Sequence, residues 1–215
     1  ILLLLFFLRE IATMPGMTPE GRRVHIARIA TSDFEDFDYN YFARVIFMVA
    51  DVYLKSEKLG SAGEVYVLDG ENYRLKHLLK LSPIFAKKIF VCTMDALPIK
   101  IKEIHIVNPP FVIDSLIAFI KPFMKEKIFN RLHFHKDVTA LHEYISRDFL
   151  PEEYGGTAGK LKLHWDKYLA AFEDFKPWFK EQENIKADES KRPGKTTCYE
   201  DCFGLHGSFR SLAVD

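Results

Sequence analysis

The chain has 215 residues, 30 lysines and arginines against 30 aspartates and glutamates, and 48% hydrophobic residues. That balance excludes chain-wide disorder, because there is ample apolar material to bury, and it excludes a chain-wide positive field for gripping nucleic acid. The length suits one domain of moderate size or one with an appendage. The first eight residues, ILLLLFFL, are too few to span a bilayer, which takes about 20. No basic segment precedes them and no small-residue cleavage site follows, so residues 1–20 read as a truncated or aberrant N-terminal segment rather than a signal peptide. Val24 to Ile29 alternates and reads as a strand. An acidic loop follows with Asp33, Glu35, Asp36 and Asp38. Asn40 to Leu59 places Phe42, Val45, Ile46, Val49, Val52 and Tyr53 at helical steps, and Gly60 and Gly63 end that helix.

Glu64 to Asp69 reads as a second strand. Ser82-Pro83 is a helix start, with serine as N-cap and proline in the first turn, and Leu97-Pro98 stops that helix near Ala96. Ile101 to Val107 is a third strand, and Asn108-Pro109-Pro110 opens a helix from Phe111 to about Asn130 that Pro122 should kink. Arg131 to His135 is a fourth strand. Asp137 is expected to cap a helix ending near Arg147, and Pro151 with Gly155-Gly156 to mark an exit from the compact unit. Leu161 to Glu183 is a tail helix, followed by a polar stretch expected to be mobile. Four strand–helix alternations predict an α/β fold with a largely parallel sheet flanked by helices.

Chemistry-bearing motifs are sparse. Neither a G-x-G-x-x-G nor a G-x-x-x-x-G-K-[ST] loop is present, and no G-x-S-x-G elbow offers a nucleophile. His133 and His135 face the same side of a strand and could begin a zinc site with His105 or His142, or simply hydrogen-bond at the sheet edge. Cys198, Cys202 and His206 recur every four residues, but Gly204 and Gly207 argue against a shared helical face. With Cys92 they make three cysteines, an odd count that points to a reducing compartment. Asp69 and Glu71 at a strand end could pair for acid–base work or order a loop.

The Phe111–Asn130 helix is the most informative segment. Val112, Leu116, Phe119, Ile120 and Phe123 make one apolar face, and Ile113, Ile117 and Met124 a second. Such a helix is buried or meets lipid. Lys121, Lys125, Lys127, Arg131 and Lys136 surround it against one acid, Glu126, with Lys87, Lys88, Lys100 and Lys102 upstream. That patch is either a solvated face or an attraction for an anionic membrane, worth about 1 kcal/mol per cation.

The ordered segments MPGMTPEGRRV (14–24), VYVLDGENYRLKHLLKLSPIFAKKI (65–89), DALPIKIKEIHIVNPP (95–110), IKPFMKEKIFNRLHFH (120–135) and LPEEYGG (150–156) carry a specific resemblance. They resemble the CRAL-TRIO lipid-binding family, in particular its animal tocopherol- and retinaldehyde-binding branch. The terminal GSFRSLAVD looks like the tail of insect members. The resemblance implies a mostly parallel mixed sheet flanked by helices that enclose a hydrophobic cavity, over residues 21–158, with a C-terminal helix and mobile tail at 159–215. It places pocket-lining positions at Tyr66, Leu68, Tyr73, Leu81, Phe85, Ile89, Cys92, Leu97, Ile99 and Ile104. It makes the apolar helix a mobile gate through Phe111, Val112, Leu116, Phe119 and Ile120. A phosphatidylinositol bisphosphate headgroup, held by four basic residues in the tocopherol-binding branch, would fall on Lys100, Lys102, Lys127 and Arg131.

The implied function is non-enzymatic binding and intermembrane transfer of a hydrophobic small molecule, with no cofactor or metal. The setting would be the cytoplasm, with transient peripheral membrane association. Two rivals are a phosphoinositide-sensing module without transfer activity and a metal-dependent enzyme built on the histidines. Three features depart from the family pattern. Members usually carry a three-helix bundle where this chain has ILLLLFFL, the glycine usual after the acidic pair is Asn72 with Gly70 instead, and the glycine after the H-x-H strand is Lys136. The 19 phenylalanines, more than tryptophan (2) and tyrosine (9) together, suit either a large core or a greasy lining.

Overall fold

The computed structural model describes residues 10–29, 38–57, 60–185, 188 and 191. The ILLLLFFL run, Asp33, Glu35 and Asp36, the Cys198–Cys202–His206 series and the GSFRSLAVD tail lie outside the described residues.

Five strands form one sheet in sequential order: β1 (Glu10–Thr13), β2 (Arg22–Arg28), β3 (Gly63–Asp69), β4 (Ile101–Val107) and β5 (Leu132–His135). β1 runs antiparallel to β2, and the other neighbours are parallel. A sheet built in one direction with right-handed crossovers puts every crossover helix on the same face. Those helices are α1 (Tyr39–Ser56), α2 (Leu75–Lys80), α3 (Pro83–Val91), α4 (Ile113–Ile120) and the one-turn α5 (Glu126–Phe129). The long α6 (Leu161–Gln182) follows the sheet.

Register decides which residues meet the crossover helices. Tyr66 pairs with Ile104, Leu68 with Ile106, and Ile106 with Phe134, so these side chains share one face. Val65, Val67 and Val107 alternate onto the other face, where Leu141, Ile145, Leu150, Tyr154 and Leu161 close a dry core. A second core joins Ile11 of β1 to Val45, Val49 and Val52 of α1 and to Trp165 and Phe172 of α6. The i, i+4, i+7 spacing of the three valines gives α1 its buried stripe. Asp38 starts that helix by accepting a hydrogen bond from the Asn40 amide at 2.8 Å.

The mixed, mostly parallel sheet flanked by helices is the architecture expected from the sequence. Several local features differ. β1 is an additional strand, too short to show alternation on its own. α2 is additional too, and its N-cap residue is Arg74, which carries no capping signal. The Ser82 helix does start with the serine hydroxyl accepting from the Phe85 amide at 3.1 Å, but beyond Val91 it continues as a π-helical turn, Cys92–Ala96. The expected Phe111–Asn130 helix is three pieces: α4, a 3-10 turn at Lys121–Phe123 containing Pro122, and α5. The ring of Pro122 carries no amide hydrogen, so the α-helical ladder ends there.

Asp137 caps as expected, accepting from the amides of Thr139 (2.9 Å) and Ala140 (3.2 Å). The segment it opens is not a helix of two and a half turns but two 3-10 turns, Thr139–Glu143 and Arg147–Phe149. Leu141, Ile145 and Leu150 all reach the same core, and this tertiary demand overrides helical propensity. Tyr154 and Leu161, on either side of Gly155-Gly156, are both fully buried. Among the described residues no helix is long and apolar enough to cross a membrane.

Candidate functional site: an apolar cavity at the carboxyl ends of the strands

The crossover face of the sheet is covered incompletely. α3 buries only Ala86, and neither the π-helical turn nor α4 fully buries any residue. Yet these segments read PIFAKKIFV, CTMDA and IDSLIAFI. Apolar helices normally bury a stripe against a core. Here the sheet floor opposite them is open as well: Leu68 is 38% exposed and Phe134 49%.

Between floor and helices lies a cavity of about 240 Å³. Leu68 and Ile106 form its floor, Tyr39 and Phe42 of α1 one wall, Ile113 and Leu116 of α4 another. Tyr73 and Leu81, on either side of α2, complete the ring. Of the residues expected to line a pocket, the structure therefore brings Leu68, Tyr73 and Leu81 together, along with Leu116 from the gate set. Phe85 stands one layer behind, its ring 5.2 Å from that of Tyr39.

Tyr66 and Ile104 share the crossover face but lie at the middle of their strands, where Tyr66 stacks on His25 at 4.9 Å. Ile89, Cys92, Leu97 and Ile99 are half-buried on α3, the π-helical turn and the loop before β4. In the gate, Phe111 is 80% exposed and Val112 is buried, while Phe119 and Ile120 are half-buried. Ile11, Ala27, Tyr39 and Phe42 also line the cavity or its rim and were not anticipated. Ile11 belongs to the unforeseen β1, and Tyr39 sits at the first turn of α1, where periodicity says nothing about a site.

The loop closing the cavity is ordered by Asp69. Its carboxylate accepts from the Tyr154 hydroxyl (2.8 Å), the Asn108 side-chain amide (3.1 Å) and the Glu71 backbone amide (3.0 Å). Asp69 and Glu71 thus order a turn rather than pairing two carboxylates for proton transfer. Gly70 belongs to the same turn, because a Cβ there would fall 2.6 Å from the Pro110 ring and 2.8 Å from the Asn108 carbonyl oxygen. The glycine displaced from position 72 is the one this close approach requires. Tyr154→Phe should lower stability by about 2 kcal/mol, the worth of a buried hydrogen bond to a carboxylate. A urea midpoint equal to that of the unaltered chain would show that Asp69 does not depend on this donor.

The basic residues gather at the other end of β4. Lys102 is held below the usual lysine range, first by the charge of Lys100, then by burial, with Arg22 and Arg131 adding to the repulsion. Those four cations therefore lie close together. Arg131 is fixed by donating to the Ile101 carbonyl, and Arg22 is paired with Glu103. Lys127 is exposed on the separate α5. Arg22 was not anticipated, since only the sheet register carries β2 to this corner. Lys102 and Ile106 are four residues apart on one strand, about 13 Å, so the basic cluster and the cavity occupy opposite ends of the same sheet.

His105, His133 and His135 do meet, on the face away from the cavity. Their rings stack at 5.0–5.1 Å, and His105 Nδ1 lies 2.8 Å from His135 Nε2. The nitrogens bond to each other rather than converging on a point. His142 is elsewhere, donating to the Tyr154 carbonyl at 2.7 Å. Among the described residues no group of three or more histidines, cysteines and acids could hold a metal ion.

Residues 9–156 match the model of the CRAL/TRIO domain. The human protein named alpha-tocopherol transfer protein-like is 34% identical over 166 residues, covering 76% of this chain and 48% of that protein. Rat clavesin-1 is 30% identical over 138 residues, covering 64% of this chain and 39% of that protein. The chain thus spans about half the length, or less, of these curated relatives. The solved structure of Sfh5 superposes with a TM-score of 0.56 over 77% of this chain and 64% of that one, at 14% identity, which speaks to the fold alone. With the domain model matched across most of its length, on a sheet and helices of the same architecture, this chain belongs to the CRAL/TRIO domain family.

Proposed function

We propose that this chain is a non-enzymatic carrier that binds a hydrophobic small molecule in the cavity at the carboxyl ends of β3 and β4. The observation that carries this is the half-buried apolar shell: α3, the π-helical turn and α4 face an open apolar floor without burying themselves. A ligand there removes apolar surface on both sides from water, at about 25 cal/mol per Å². The similarity to proteins named for tocopherol transfer supports the same reading. In this reading α4, with Phe111 at its start, is the movable wall, and its second apolar face meets the bilayer when cargo passes. The pocket positions outside this cavity, Tyr66, Phe85, Ile89, Cys92, Leu97, Ile99 and Ile104, are contacted by a longer ligand.

The basic cluster of Lys100, Lys102 and Arg131, with Lys127 swinging in on α5, is proposed to hold a phosphoinositide headgroup, coupling release to an anionic membrane. The crowding that depresses the Lys102 pKa favours this, because a phosphate relieves the mutual repulsion. The same cluster would also serve a phosphoinositide sensor that transfers nothing. Native mass spectrometry of the purified chain separates the two readings: a carrier retains an apolar ligand, a sensor is empty. For the coupling, Lys127→Ala with Arg131→Ala should weaken binding to phosphatidylinositol bisphosphate vesicles by about 10- to 30-fold, at about 1 kcal/mol per cation. Unchanged vesicle binding and transfer rate would rule the coupling out.

A further inference from the structure

The amino-terminal edge of the sheet holds a cation that the four headgroup positions expected from the sequence do not include. Arg22 stands at the start of β2, in register with Gly63 at the start of β3. Gly63 has no side chain, and a Cβ there would fall 2.5 Å from Lys102 Cγ and 2.9 Å from Lys102 Cε. The stem of Lys102 therefore lies against the bare backbone of β3. That is how Arg22, two strands away, comes within range of the Lys102 charge. Arg131 acts on the same lysine from the other side, just ahead of β5.

Arg22 is held but not used up. Its Nη1 donates to one oxygen of Glu103. The other oxygen of Glu103 accepts from the buried His105 at 3.1 Å, so the carboxylate that holds Arg22 is itself fixed. Among the described residues, Nε and Nη2 of Arg22 have no acceptor, and Lys100 and Lys102 form no ion pair. Charge then limits what the cluster can take. Arg22, Lys100, Lys102 and Arg131 are four cations, and Glu103 cancels one. A phosphate monoester brings about −1.5 to −2 at neutral pH, so one falls short of balancing the cluster and two suffice.

We propose that Arg22 is a further headgroup-binding residue, which takes the second phosphate of a two-phosphate lipid headgroup and sets the preference for it over a headgroup with a single monoester phosphate. This rests on the phosphoinositide reading above. Lys102, between the two arginines, is shared by both phosphates. Glu103 is a positioning residue. It takes one donor of Arg22 and keeps the others in place, so binding does not have to order a long side chain.

The full chain is titrated with phosphatidylcholine vesicles that contain either a phosphatidylinositol monophosphate or a phosphatidylinositol bisphosphate, at mole fractions that equalise surface charge. The unaltered chain should bind the bisphosphate vesicles about tenfold more tightly, the worth of one charge-assisted contact. Arg22→Gln should bring the two within about twofold by weakening the bisphosphate arm alone. Arg22→Lys keeps the charge, but Glu103 claims its single ammonium, so the preference should fall here too, which a purely electrostatic role would not produce. Arg23→Gln removes the same charge one position along, from a guanidinium already bonded to Glu57 and the Gly16 carbonyl, and should leave the preference intact. A ratio of two affinities in one protein is insensitive to a fraction of unfolded chain.

Soluble inositol trisphosphate separates a lipid headgroup from a free phosphate. It should displace the chain from bisphosphate vesicles, yet bind more weakly than they do. No displacement would mean that surface charge alone holds the chain, and tighter binding of the soluble compound would assign the site to a free polyphosphate; either result overturns the inference. So does equal affinity for the two vesicle types in the unaltered chain, or an unchanged preference in Arg22→Gln, while the phosphoinositide reading still stands on the Lys127 and Arg131 variants. If neither vesicle type binds the unaltered chain better than phosphatidylcholine alone, the phosphoinositide reading itself fails.

Discussion

Gly156→Ala should cost about 3–5 kcal/mol and leave little folded protein, out of the roughly 5–15 kcal/mol a domain has. A Cβ at this position would stand 1.9 Å from the Leu150 carbonyl oxygen, 2.4 Å from its carbon and 2.6 Å from the Arg147 carbonyl oxygen. All three are backbone atoms, so no side chain can rotate away. Nor can the backbone drift easily. The Gly156 amide donates to the Pro151 carbonyl at 3.0 Å, Thr157 to Arg147 at 2.9 Å and Ala158 to Leu150 at 3.0 Å. Leu150, Tyr154 and Leu161 anchor the same stretch in the core beneath β2, β3 and β4. Relief of the clash must therefore pull at least one of these from its site, which is the overpacking mechanism with a buried penalty added. Thr157→Ala, next along on an exposed position, is the control and should cost under about 1 kcal/mol. Comparable urea midpoints for the two variants would refute the steric account.

The same segment shows how far the sequence could be read. Glycine pairs usually mark loops, and position 155 does turn through a positive φ of 70°. That the second glycine is a packing requirement depends on the Leu150 carbonyl folding back onto it, and no local pattern announces that. β2, β3 and β4 and the long α1 and α6 were legible because each carries its own periodicity over enough residues to stand out. β1, with four residues, and α2, with six, were not. The 3-10 turns after β5 were hidden for a different reason, since Asp137 caps in the expected way and tertiary contacts then take over.

For the site, the apolar helix around Leu116 declared itself by being greasy on two faces, although where it breaks followed from Pro122 alone. The family resemblance supplied Leu68, Tyr73 and Leu81. The bond between Tyr39 and Tyr73 was out of reach, because the two are 34 positions apart and meet only after α1 has packed across the sheet. Arg22 joined the basic cluster by the same route, through strand register.

The histidines give the second large effect. Acidification from pH 6.5 to about 4 should remove about 3 kcal/mol of stability through His105 alone. His105 is wholly inaccessible to solvent, and burial drives its pKa down from 6.5 to about 4. Glu103 pulls the other way, while His135 and His133 add to the lowering. His135 is lowered as well, by burial first and then by His133, with Glu143 opposing. The hydrogen bonds explain why the neutral form is required. Glu103 can only accept, so His105 Nε2 donates to it at 3.1 Å. His105 Nδ1 must then accept from His135 Nε2, and a proton on that nitrogen would break the bond between β4 and β5.

The sign comes from linkage. A base whose folded pKa lies below its unfolded value binds protons preferentially in the unfolded chain as pH falls. The stabilisation is complete above pH 6.5 and lost progressively down to about 4. His77, lowered to about 4 by burial first and then by the charge of Lys76, adds to the loss over the same window. The carboxylates act later. Glu64 and Glu103 are buried against ionisation, yet hydrogen bonds from His25 and Ser61, and from His105 and Arg22, leave both below 4.5. Their contribution is lost only below that value, so the range from pH 6.5 to 4.5 isolates the histidines. Urea denaturation across that range should show a steep fall in the unaltered chain. His105→Gln keeps a donor for Glu103 but cannot be protonated, so its stability should fall with a visibly shallower slope, the remainder coming from His77 and His135. An identical slope in the two proteins would mean that the stacked histidines exchange protons freely in the folded state, and that burial does not control the edge formed by β4 and β5.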